Sequence, residues 1–458
     1  MCREETDMRT KLKGRETILI ASMLFGLFFG AGNLIFPLIL GAQSGARLPA
    51  ALAGMLVTAV GIPLLGILAM GASRSEGLLH MAGRVSRPYA LFFTCALYLT
   101  IGPFFAIPRC AATSFTVGVF PLLHGHGTLW QAGFTALFFA LVLFFSLRPS
   151  RIMDSVGKLL NPIFLVFLSI LIVAALLRPV QSFNSVPASG TYADGAFVPG
   201  FLQGYDTLDA LASLAFGIIV IDSIRRLGVR EPGAIARCAA RSGAFSMALM
   251  AFIYTAIALV GAQSYRLYAD RLADPAFTGG DAFAIIARHY FGPVGGILLA
   301  LTVTFCCLKT AIGLVTSCAE TFSAMFPRTL HYRGYAVLFS AFSFAVSNIG
   351  LSKIIAFSAP VLYFLYPLSI VLILLALFGR RFDHDASVYR WTIGFTMIAA
   401  VLDLLRVSRV SAFEGIVALA NRLLPLNALG LGWILPAALG LAIGLILRQT
   451  RSKREKQV

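Results

Sequence analysis

The fold of this chain is restricted most by a series of apolar runs, each about 20 residues long and nearly free of charged side chains. A helix of that length crosses the ~30 Å hydrocarbon core of a bilayer, whereas the strands of a membrane barrel are shorter and alternate apolar with polar residues. Only 12% of the 458 residues are charged and 58% are hydrophobic, whereas a soluble domain carries about 25% charged residues. The sequence therefore predicts an all-α polytopic membrane protein.

The apolar runs predict twelve transmembrane spans, at residues 17–40, 48–72, 87–119, 128–147, 152–177, 197–222, 237–262, 293–325, 334–352, 354–378, 390–405 and 427–447. If the N-terminus is cytoplasmic, the segments on the cytoplasmic side carry most of the 37 Lys and Arg residues. This asymmetry follows the positive-inside rule, with both termini in the cytoplasm. The net charge of +17 then reflects topology and does not indicate nucleic acid binding.

Other functional classes lack their sequence signatures. The seven cysteines form no CxxC pair, and the six histidines have no metal-ligand spacing, so no metal centre or other cofactor is expected beyond a transported ion. The chain has no P-loop for ATP, no convergent nucleophile and base of an enzyme, and no series of polar rings of a pore. A secondary transporter is therefore favoured, and an ion channel or a membrane enzyme is the remote alternative.

Two of the predicted spans have glycine and polar residues at their centres. Span 1 is interrupted at 30–33 (GAGN) and span 6 at 204–207 (GYDT). The two lie five spans apart and enter the membrane from opposite sides, as the broken helices of inverted-repeat transporters do. Unwound backbone is tolerated in a membrane only where protein or a water-filled cavity satisfies it. The breaks therefore predict a central substrate site; alternatively, the glycines only allow close helix packing.

These breaks belong to a longer set of segments that carry a family resemblance. The segments are LFFGAGNLIFPLILGAQSG (27–45), AVGIPLLGILA (59–69), YLTIGPFFAIPRCAATSF (98–115), DSVGKLLNP (154–162), GFLQGYDTLDALASLAFGIIV (200–220), TAIGLVTSCAETF (310–322), FSFAVSNIGLSKII (342–355) and SAPVLYFLYP (358–367). In them the chain resembles the branched-chain amino acid transport system II carriers (leucine/isoleucine/valine:cation symporters) of the amino acid–polyamine–organocation superfamily. The segments follow the family order from span 1 to span 10.

The resemblance implies a leucine-transporter-like 5+5 inverted repeat with broken helices 1 and 6. The first repeat would comprise residues 1–178 (spans 1–5) and the second 179–378 (spans 6–10), and 379–458 would add two spans and a basic cytoplasmic tail. It also implies alternating access, in which spans 1, 2, 6 and 7 move against spans 3, 4, 8 and 9. Members import leucine, isoleucine and valine across the cytoplasmic (inner) membrane of bacteria, usually with Na⁺ and in some cases with H⁺.

A zwitterionic amino acid needs three kinds of partner. Its carboxylate needs free amide N–H groups at the positive end of a half-helix, which 30–33 supply. Its ammonium needs oxygens, available near 28–30 and 204–207, and its aliphatic side chain needs an apolar wall. The expected substrate-binding residues are Phe28, Gly30, Ala31, Gly32, Asn33, Tyr98, Gly204, Tyr205, Asp206, Thr207 and Phe216. Phe104 is a further wall candidate, and each wall aromatic has plain packing as its alternative.

Three other polar residues near the breaks have expected roles. Asn33 either orients substrate or makes a structural hydrogen bond within the break. Arg109, in the PR pair of span 3, is expected to form a structural or gating ion pair in preference to contacting substrate. Asp209 is expected to cap the second half of span 6.

The resemblance also implies an ion region, because leucine-transporter folds hold sodium between carbonyls of span 1 and hydroxyls of span 8. Here that region falls at Gly26, Phe29, Cys306, Lys309 and Thr310. Family members are generally uncharged at the positions of Lys309 and Asp206. A lysine ammonium would repel Na⁺, and burial would allow it to act as a proton carrier. We therefore expect Lys309 to replace Na⁺, so that transport is proton-coupled or sodium-independent.

Alternatives to this interpretation stay open. Asp206 is a possible partner for Lys309, or it receives a cationic group of the substrate, which would make the chain a carrier of a different or cationic amino acid. Lys309 instead faces a water cavity away from the site, or the register differs by a residue or two. A charge at bilayer depth is a functional candidate in each case.

Overall fold

The computed structural model describes residues 9–73, 75, 77–122, 128–147, 161–274 and 277–455. This part of the chain is helical throughout, apart from turns and one isolated β-bridge. The helices are α1 (Gly14–Phe28), α2 (Ala31–Ser44), α3 (Leu48–Leu56), α4 (Ile62–Ala72), α5 (Leu78–Gly83), α6 (Arg87–Leu99), α7 (Ala106–Thr113), α8 (Thr128–Ser146), α9 (Asn161–Leu177), α10 (Phe197–Gln203), α11 (Asp209–Arg226), α12 (Pro232–Gln263), α13 (Gly279–Met325), α14 (Tyr332–Ser347), α15 (Leu351–Phe378), α16 (Ala386–Ser408), α17 (Glu414–Leu423) and α18 (Ile434–Glu455).

Within the described residues, eight helices are long and apolar enough to cross a membrane, or nine if the bent pair α10–α11 forms one span. Three predicted spans fall on shorter helices. Span 1 is divided between α1 (15 residues) and α2 (14 residues), span 5 falls on α9 (17 residues) and span 9 on α14 (16 residues). The first part of the predicted span 152–177 lies outside the described residues.

The break in span 1 is shorter than predicted and lies earlier. It covers residues 29 and 30, because α1 ends at Phe28 and α2 begins at Ala31. Residues 31–33, predicted as part of the break, instead form the first turn of α2. The Asn33 side chain explains this shift, since its Oδ1 accepts the Gly30 N–H at 2.8 Å and closes the start of the helix.

The break in span 6 matches its prediction closely. Gly204–Thr207 form a 3₁₀ turn, and Leu208 follows in a left-handed conformation with φ 67° before α11 begins. A leucine is strained in this region, and the helices on either side are bent by 43°. The segment between α10 and α11 is therefore held by its surroundings and not by its own preference.

The helices next to the breaks pack into two groups. In the first group, α1, α2, α10 and α11 of spans 1 and 6 pack on α3, α4 and α12 of spans 2 and 7. In the second, α13 of span 8 packs on α7, α8, α9 and α14. The contacts of α13 with α1 and α2 join the groups at the first break.

Glycines allow very close backbone approach in the first group. A Cβ on Gly41 of α2 would lie 1.8 Å from the carbonyl oxygen of Ala258 of α12, and one on Gly261 would lie 2.1 Å from that of Leu38. Gly54 of α3 and Gly200 of α10 make an equivalent reciprocal contact between spans 2 and 6. Small residues at these crossings let the helices pack without intervening side chains.

We expect the Gly41→Ala variant to be less stable than wild type by about 1–3 kcal/mol, because the new methyl group cannot fit without moving α2 away from α12. Thermal unfolding of the purified protein in detergent measures this difference. Gly133→Ala in α8 is the matched control, since a Cβ there has nothing within 4 Å. Equal stability of the two variants would contradict the close contact.

Other boundaries differ from prediction. Span 8 was predicted to begin at residue 293, but α13 starts at Gly279 and continues through a kink at Gly292, where φ is 57°. The last two spans are displaced or extended: α16 covers Ala386–Ser408 and α18 covers Ile434–Glu455. The short helix α17 between them was not predicted. Its apolar residues lie on one face, and a periodic pattern of only 10 residues was too short to recognise.

Candidate functional site

A narrow cavity of about 30 Å³ lies between the two breaks. Its wall comes from α1, α2, α7, α11 and α13, and from the residues that separate α1 from α2 and α10 from α11. Such a volume holds about two water molecules and is smaller than an aliphatic amino acid. Side chains or helices around the cavity must therefore move before substrate of that size can enter.

The start of α2 presents backbone donors to this cavity. The cavity is lined by Gly30, Ala31 and Gly32, and the first N–H groups of a helix have no acceptor one turn earlier. Glycine is required here for space. A Cβ on Gly30 would lie 3.0 Å from Thr310 Cγ2, and one on Gly32 would lie 2.8 Å from an Arg109 nitrogen. The glycines thus serve both the break and close packing, the two explanations that the sequence left open.

A buried hydrogen-bond network connects the two breaks. The Asn33 Nδ2 group donates to both carboxylate oxygens of Asp209 at 2.9 Å and also contacts the Tyr254 hydroxyl. Tyr254 donates to Asp209 Oδ2 at 2.6 Å. Asp209 therefore accepts from neighbouring spans and does not cap α11, so that expectation was wrong. Asn33 makes the structural hydrogen bond that was one of its two expected roles.

Arg109 bridges span 3 to both breaks. It is 96% buried, since its relative exposure is 4%, and its Nη1 donates to the backbone carbonyl of Asp206 at 2.8 Å. Its guanidinium also lies 5.4 Å from the ring centroid of Phe36. Within the described part of the chain it has no carboxylate at ion-pair distance, so the expected ion pair is replaced by a hydrogen bond to backbone.

The predicted ion region is brought together around the end of α1. Thr310 Oγ1 donates to the carbonyl of Phe29 at 3.0 Å and reaches that of Gly26 at 3.4 Å. Cys306 Sγ lies 3.3 Å from the Phe29 carbonyl. These contacts satisfy carbonyls that the break releases from the helix. They also place one hydroxyl and two carbonyl oxygens, the ligand types that hard cations prefer, in one small volume.

Lys309 is fully buried beside this region. Its Nζ donates to Oδ1 of Asn161 at 3.2 Å and lies 4.1 Å from the ring centroid of Phe164. The rings of Phe25 and Phe29 are also close, at 5.1 Å and 5.7 Å. Aromatic faces stabilise a cation removed from water. The ammonium thus occupies a box of three rings and one amide oxygen, which we call the Lys309 box.

Lys309 and Asp206 have different partners. Among the described residues, no carboxylate lies at ion-pair distance from the Lys309 ammonium. Asp206 interacts electrostatically with Arg109. The possible direct pair between Lys309 and Asp206 is therefore absent from this part of the structure, because the box points toward α9 and not toward the second break.

The predicted substrate residues divide into two sets. Seven line the cavity: Phe28, Gly30, Ala31, Gly32, Asn33, Thr207 and Phe216. Four do not: Tyr98, Gly204, Tyr205 and Asp206.

Each of those four has a different neighbourhood. Tyr98 packs beside the Ala215 carbonyl and α13, and Gly204 lies against Thr58. Tyr205 stacks on Tyr366 at a centroid distance of 4.1 Å. The further candidate Phe104 is 40% exposed and packs on Phe342, so it does not line the cavity.

Several residues of the cavity wall were not among the predicted substrate residues. They are Leu27, Ile101, Ala106, Arg109, Cys110, Leu208, Asp209, Ala212, Thr310 and Leu314. Arg109, Asp209 and Thr310 had been singled out for other roles. The apolar ones look like any residue of a buried helix, so hydrophobic pattern alone carries no signal for them.

With this geometry established, comparison with known proteins gives the family. The model of the "Branched-chain amino acid transport protein" family matches residues 13–451. The chain belongs to that family. The family consists of transport proteins and not enzymes, and the chain is accordingly a multi-pass membrane protein.

Its relatives match over essentially their full length. A branched-chain amino acid permease, BrnQ, of Lactobacillus delbrueckii subsp. lactis is 48% identical over 98% of this chain and 100% of the relative. The BrnQ permease of Bacillus subtilis is 40% identical, covering 97% of this chain and 100% of its own. The branched-chain amino acid transport system 2 carrier protein of Pseudomonas aeruginosa is 36% identical, covering 98% and 100%.

Two solved structures share the fold. Mhp1, a nucleobase-cation-symport-1 family transporter solved in a closed conformation with bromovinylhydantoin bound, has a TM-score of 0.61 at 15% identity, covering 96% of this chain and 93% of its own. The manganese transporter of Eremococcus coleocola has a TM-score of 0.57 at 13% identity, covering 97% and 99%. The family member described here therefore has a leucine-transporter-like fold.

Proposed function

We propose that this chain is a secondary active importer of leucine, isoleucine and valine across the bacterial cytoplasmic membrane. The observation that carries the proposal is the cavity between the breaks, which combines helix-start amides, an arginine, a carboxylate and an apolar wall. The branched-chain substrates named for the relatives fit this combination. Lipid surrounds the transporter, and neither ATP nor nucleic acid takes part.

The proposed architecture has twelve spans, both termini in the cytoplasm, and two inverted repeats at 1–178 and 179–378, followed by two spans and a tail at 379–458. The packing of spans 1 and 6 on spans 7 and 2 supports such a repeat, because each broken span pairs with the second span of the other half. Alternating access would move this first group against the group around α13. The cavity lies where the two groups meet.

Substrate would be held by its three chemical parts. The carboxylate would bind the first amides of α2, where the helix dipole is positive. The ammonium would lie near oxygens released at the breaks, including Thr207, whose hydroxyl bonds to the Gly204 carbonyl at 2.9 Å. The aliphatic side chain would contact Phe28 and Phe216, whose rings meet edge to face at 5.5 Å. Tyr98, Gly204, Tyr205 and Asp206 would act by supporting this site from behind.

We further propose that Lys309 takes the place of the coupling sodium. Its ammonium is adjacent in sequence to Thr310, which contacts the Gly26 and Phe29 carbonyls. A sodium ion at those oxygens would be repelled by a nearby buried ammonium. The Lys309 box stabilises that charge permanently. Transport would therefore proceed without sodium.

Uptake into proteoliposomes with independently imposed ion gradients tests this proposal. Labelled leucine should accumulate in sodium-free buffer, and an inward sodium gradient should not increase the rate. Uptake that saturates with millimolar sodium would overturn the replacement of sodium by Lys309. Failure to take up any branched-chain amino acid, under either gradient, would overturn the proposed substrate.

Competition experiments separate this substrate class from a cationic one. Isoleucine and valine should inhibit labelled leucine uptake, whereas lysine, arginine and polyamines should not. The reason is that the Arg109 guanidinium lies on the cavity wall and repels a second cation, while the Asp206 carbonyl is already bound by Arg109. Inhibition by lysine at concentrations comparable to valine would favour the carrier of cationic amino acids instead.

A further inference from the structure

Asp209 is a buried carboxylate that neither the substrate nor the sodium replacement explains. Its relative exposure is 1%, and it lines the cavity at the start of α11. Its oxygens accept from Asn33 and Tyr254. Among the described residues no cation lies at ion-pair distance from it. A carboxylate at this depth is costly when charged and unpaired, so it is well suited to exchange a proton.

The surroundings of Asp209 limit which groups share its charge. Tyr254 of α12 faces it directly, and Tyr366 of α15 and Arg109 of α7 interact with it electrostatically. Thr207 provides a hydroxyl from the second break. The adjacent helices α3 and α4 and the turn between them carry no ionisable side chain near it, and the ionisable groups of α1 are at its cytoplasmic start. On α13, the ammonium of Lys309 is held in its own box.

Protonation of Asp209 would change the hydrogen bonds that connect the breaks. In the structure Asn33 donates to Asp209 through Nδ2 while its Oδ1 accepts the Gly30 N–H. A protonated carboxyl group is itself a donor and offers fewer acceptor sites, so Asn33 or Tyr254 must rearrange. Because Asn33 fixes the start of α2, the charge of Asp209 is linked to the amides proposed to bind the substrate carboxylate.

We propose that Asp209 binds the proton that is co-transported with the amino acid. In the outward-facing state an O–H bond forms between a carboxylate oxygen and a proton from the external solution. In the inward-facing state that bond breaks, and the same proton leaves to the cytoplasm after substrate. One proton and one zwitterion cross in each cycle, so one positive charge moves inward. This inference rests on the proposed function, and it assigns the coupling ion to a residue other than Lys309.

The test uses the full chain in sodium-free proteoliposomes that contain a pH-sensitive dye. For wild type, an inward leucine gradient should acidify the lumen, and an inward proton gradient should drive leucine accumulation. The Asp209→Asn variant should lose both effects by at least about tenfold, yet it should still exchange labelled for unlabelled leucine, because exchange needs no net proton release. Asp222→Asn, a half-exposed carboxylate on the same helix, is the control and should behave as wild type.

A second variant keeps the inference testable if Asp209→Asn fails to fold. Tyr254→Phe retains the carboxylate but removes a donor that stabilises its charged form, so the pH midpoint of leucine uptake should move upward by about one unit. Leucine-driven acidification by Asp209→Asn, or an unchanged midpoint in Tyr254→Phe, would overturn the role of Asp209. If wild type moves leucine without acidification, the carrier function stands and this inference fails. If it moves no branched-chain amino acid, the proposed function fails.

Discussion

Leucine uptake by the Lys309→Thr variant will increase with external sodium, whereas uptake by wild type will not. The substitution removes the ammonium and adds a second hydroxyl beside Thr310, which already contacts the carbonyls of Gly26 and Phe29. Two like charges 4 Å apart repel by about 4 kcal/mol at an effective dielectric constant of 20. Removing that repulsion corresponds to about a thousandfold gain in sodium affinity. Initial rates of uptake measured against sodium concentration report the change.

Two further variants separate charge from ligand chemistry. Lys309→Met removes the ammonium without supplying an oxygen, so it should respond to sodium less than Lys309→Thr does. Lys353→Thr changes an exposed lysine of α15 and should leave uptake unchanged. A Lys309→Thr protein that folds, transports leucine and still ignores sodium would show that the ammonium does not occupy the role of the ion.

The Arg109→Lys variant will lose at least about tenfold in leucine uptake, although it keeps the positive charge. The guanidinium donates to the Asp206 carbonyl while it lies against Gly32 and the ring of Phe36. A lysine cannot make these contacts together, because its ammonium is a point donor without the planar fork. Losing a hydrogen bond from a charged group costs about 1.5–3 kcal/mol, and each 1.4 kcal/mol is a factor of ten.

Transport rate and stability must be measured together for this variant. Thermal unfolding in detergent shows whether the purified protein remains folded, and uptake per folded molecule then isolates the functional loss. Arg178→Lys, at the exposed end of α9, is the matched control. Wild-type uptake by Arg109→Lys would mean that the bridge between span 3 and the two breaks is dispensable.

The sequence was most informative where backbone chemistry is unusual. Glycine and polar residues at 30–33 and 204–207 predicted the two breaks, because such residues are rare at the centre of a membrane helix. Counting from the first break brought Gly26, Phe29, Cys306 and Thr310 to one region, and the structure joins them there. Helical spacing and a strong family resemblance together were sufficient for that result.

The sequence was least informative where partners come from distant spans. Asn161, which accepts from Lys309, is 148 residues away, and nothing in its local pattern marks it. The network of Asn33, Asp209 and Tyr254 joins three spans, so local rules assigned Asp209 to a helix cap. The exact start of α2 depended on one side-chain hydrogen bond, which residue spacing alone does not reveal.

The Lys309 box also sets an upper limit on how far the cell can concentrate its nutrient. An ammonium tethered to the protein returns with it in every cycle, so it carries no free energy from outside to inside. If a single proton does the work, a membrane potential of 100 mV supplies about 2.3 kcal/mol, which corresponds to roughly a fiftyfold accumulation ratio. A carrier built this way gives up the energy stored in a salt gradient and gains the ability to feed the cell where salt is scarce.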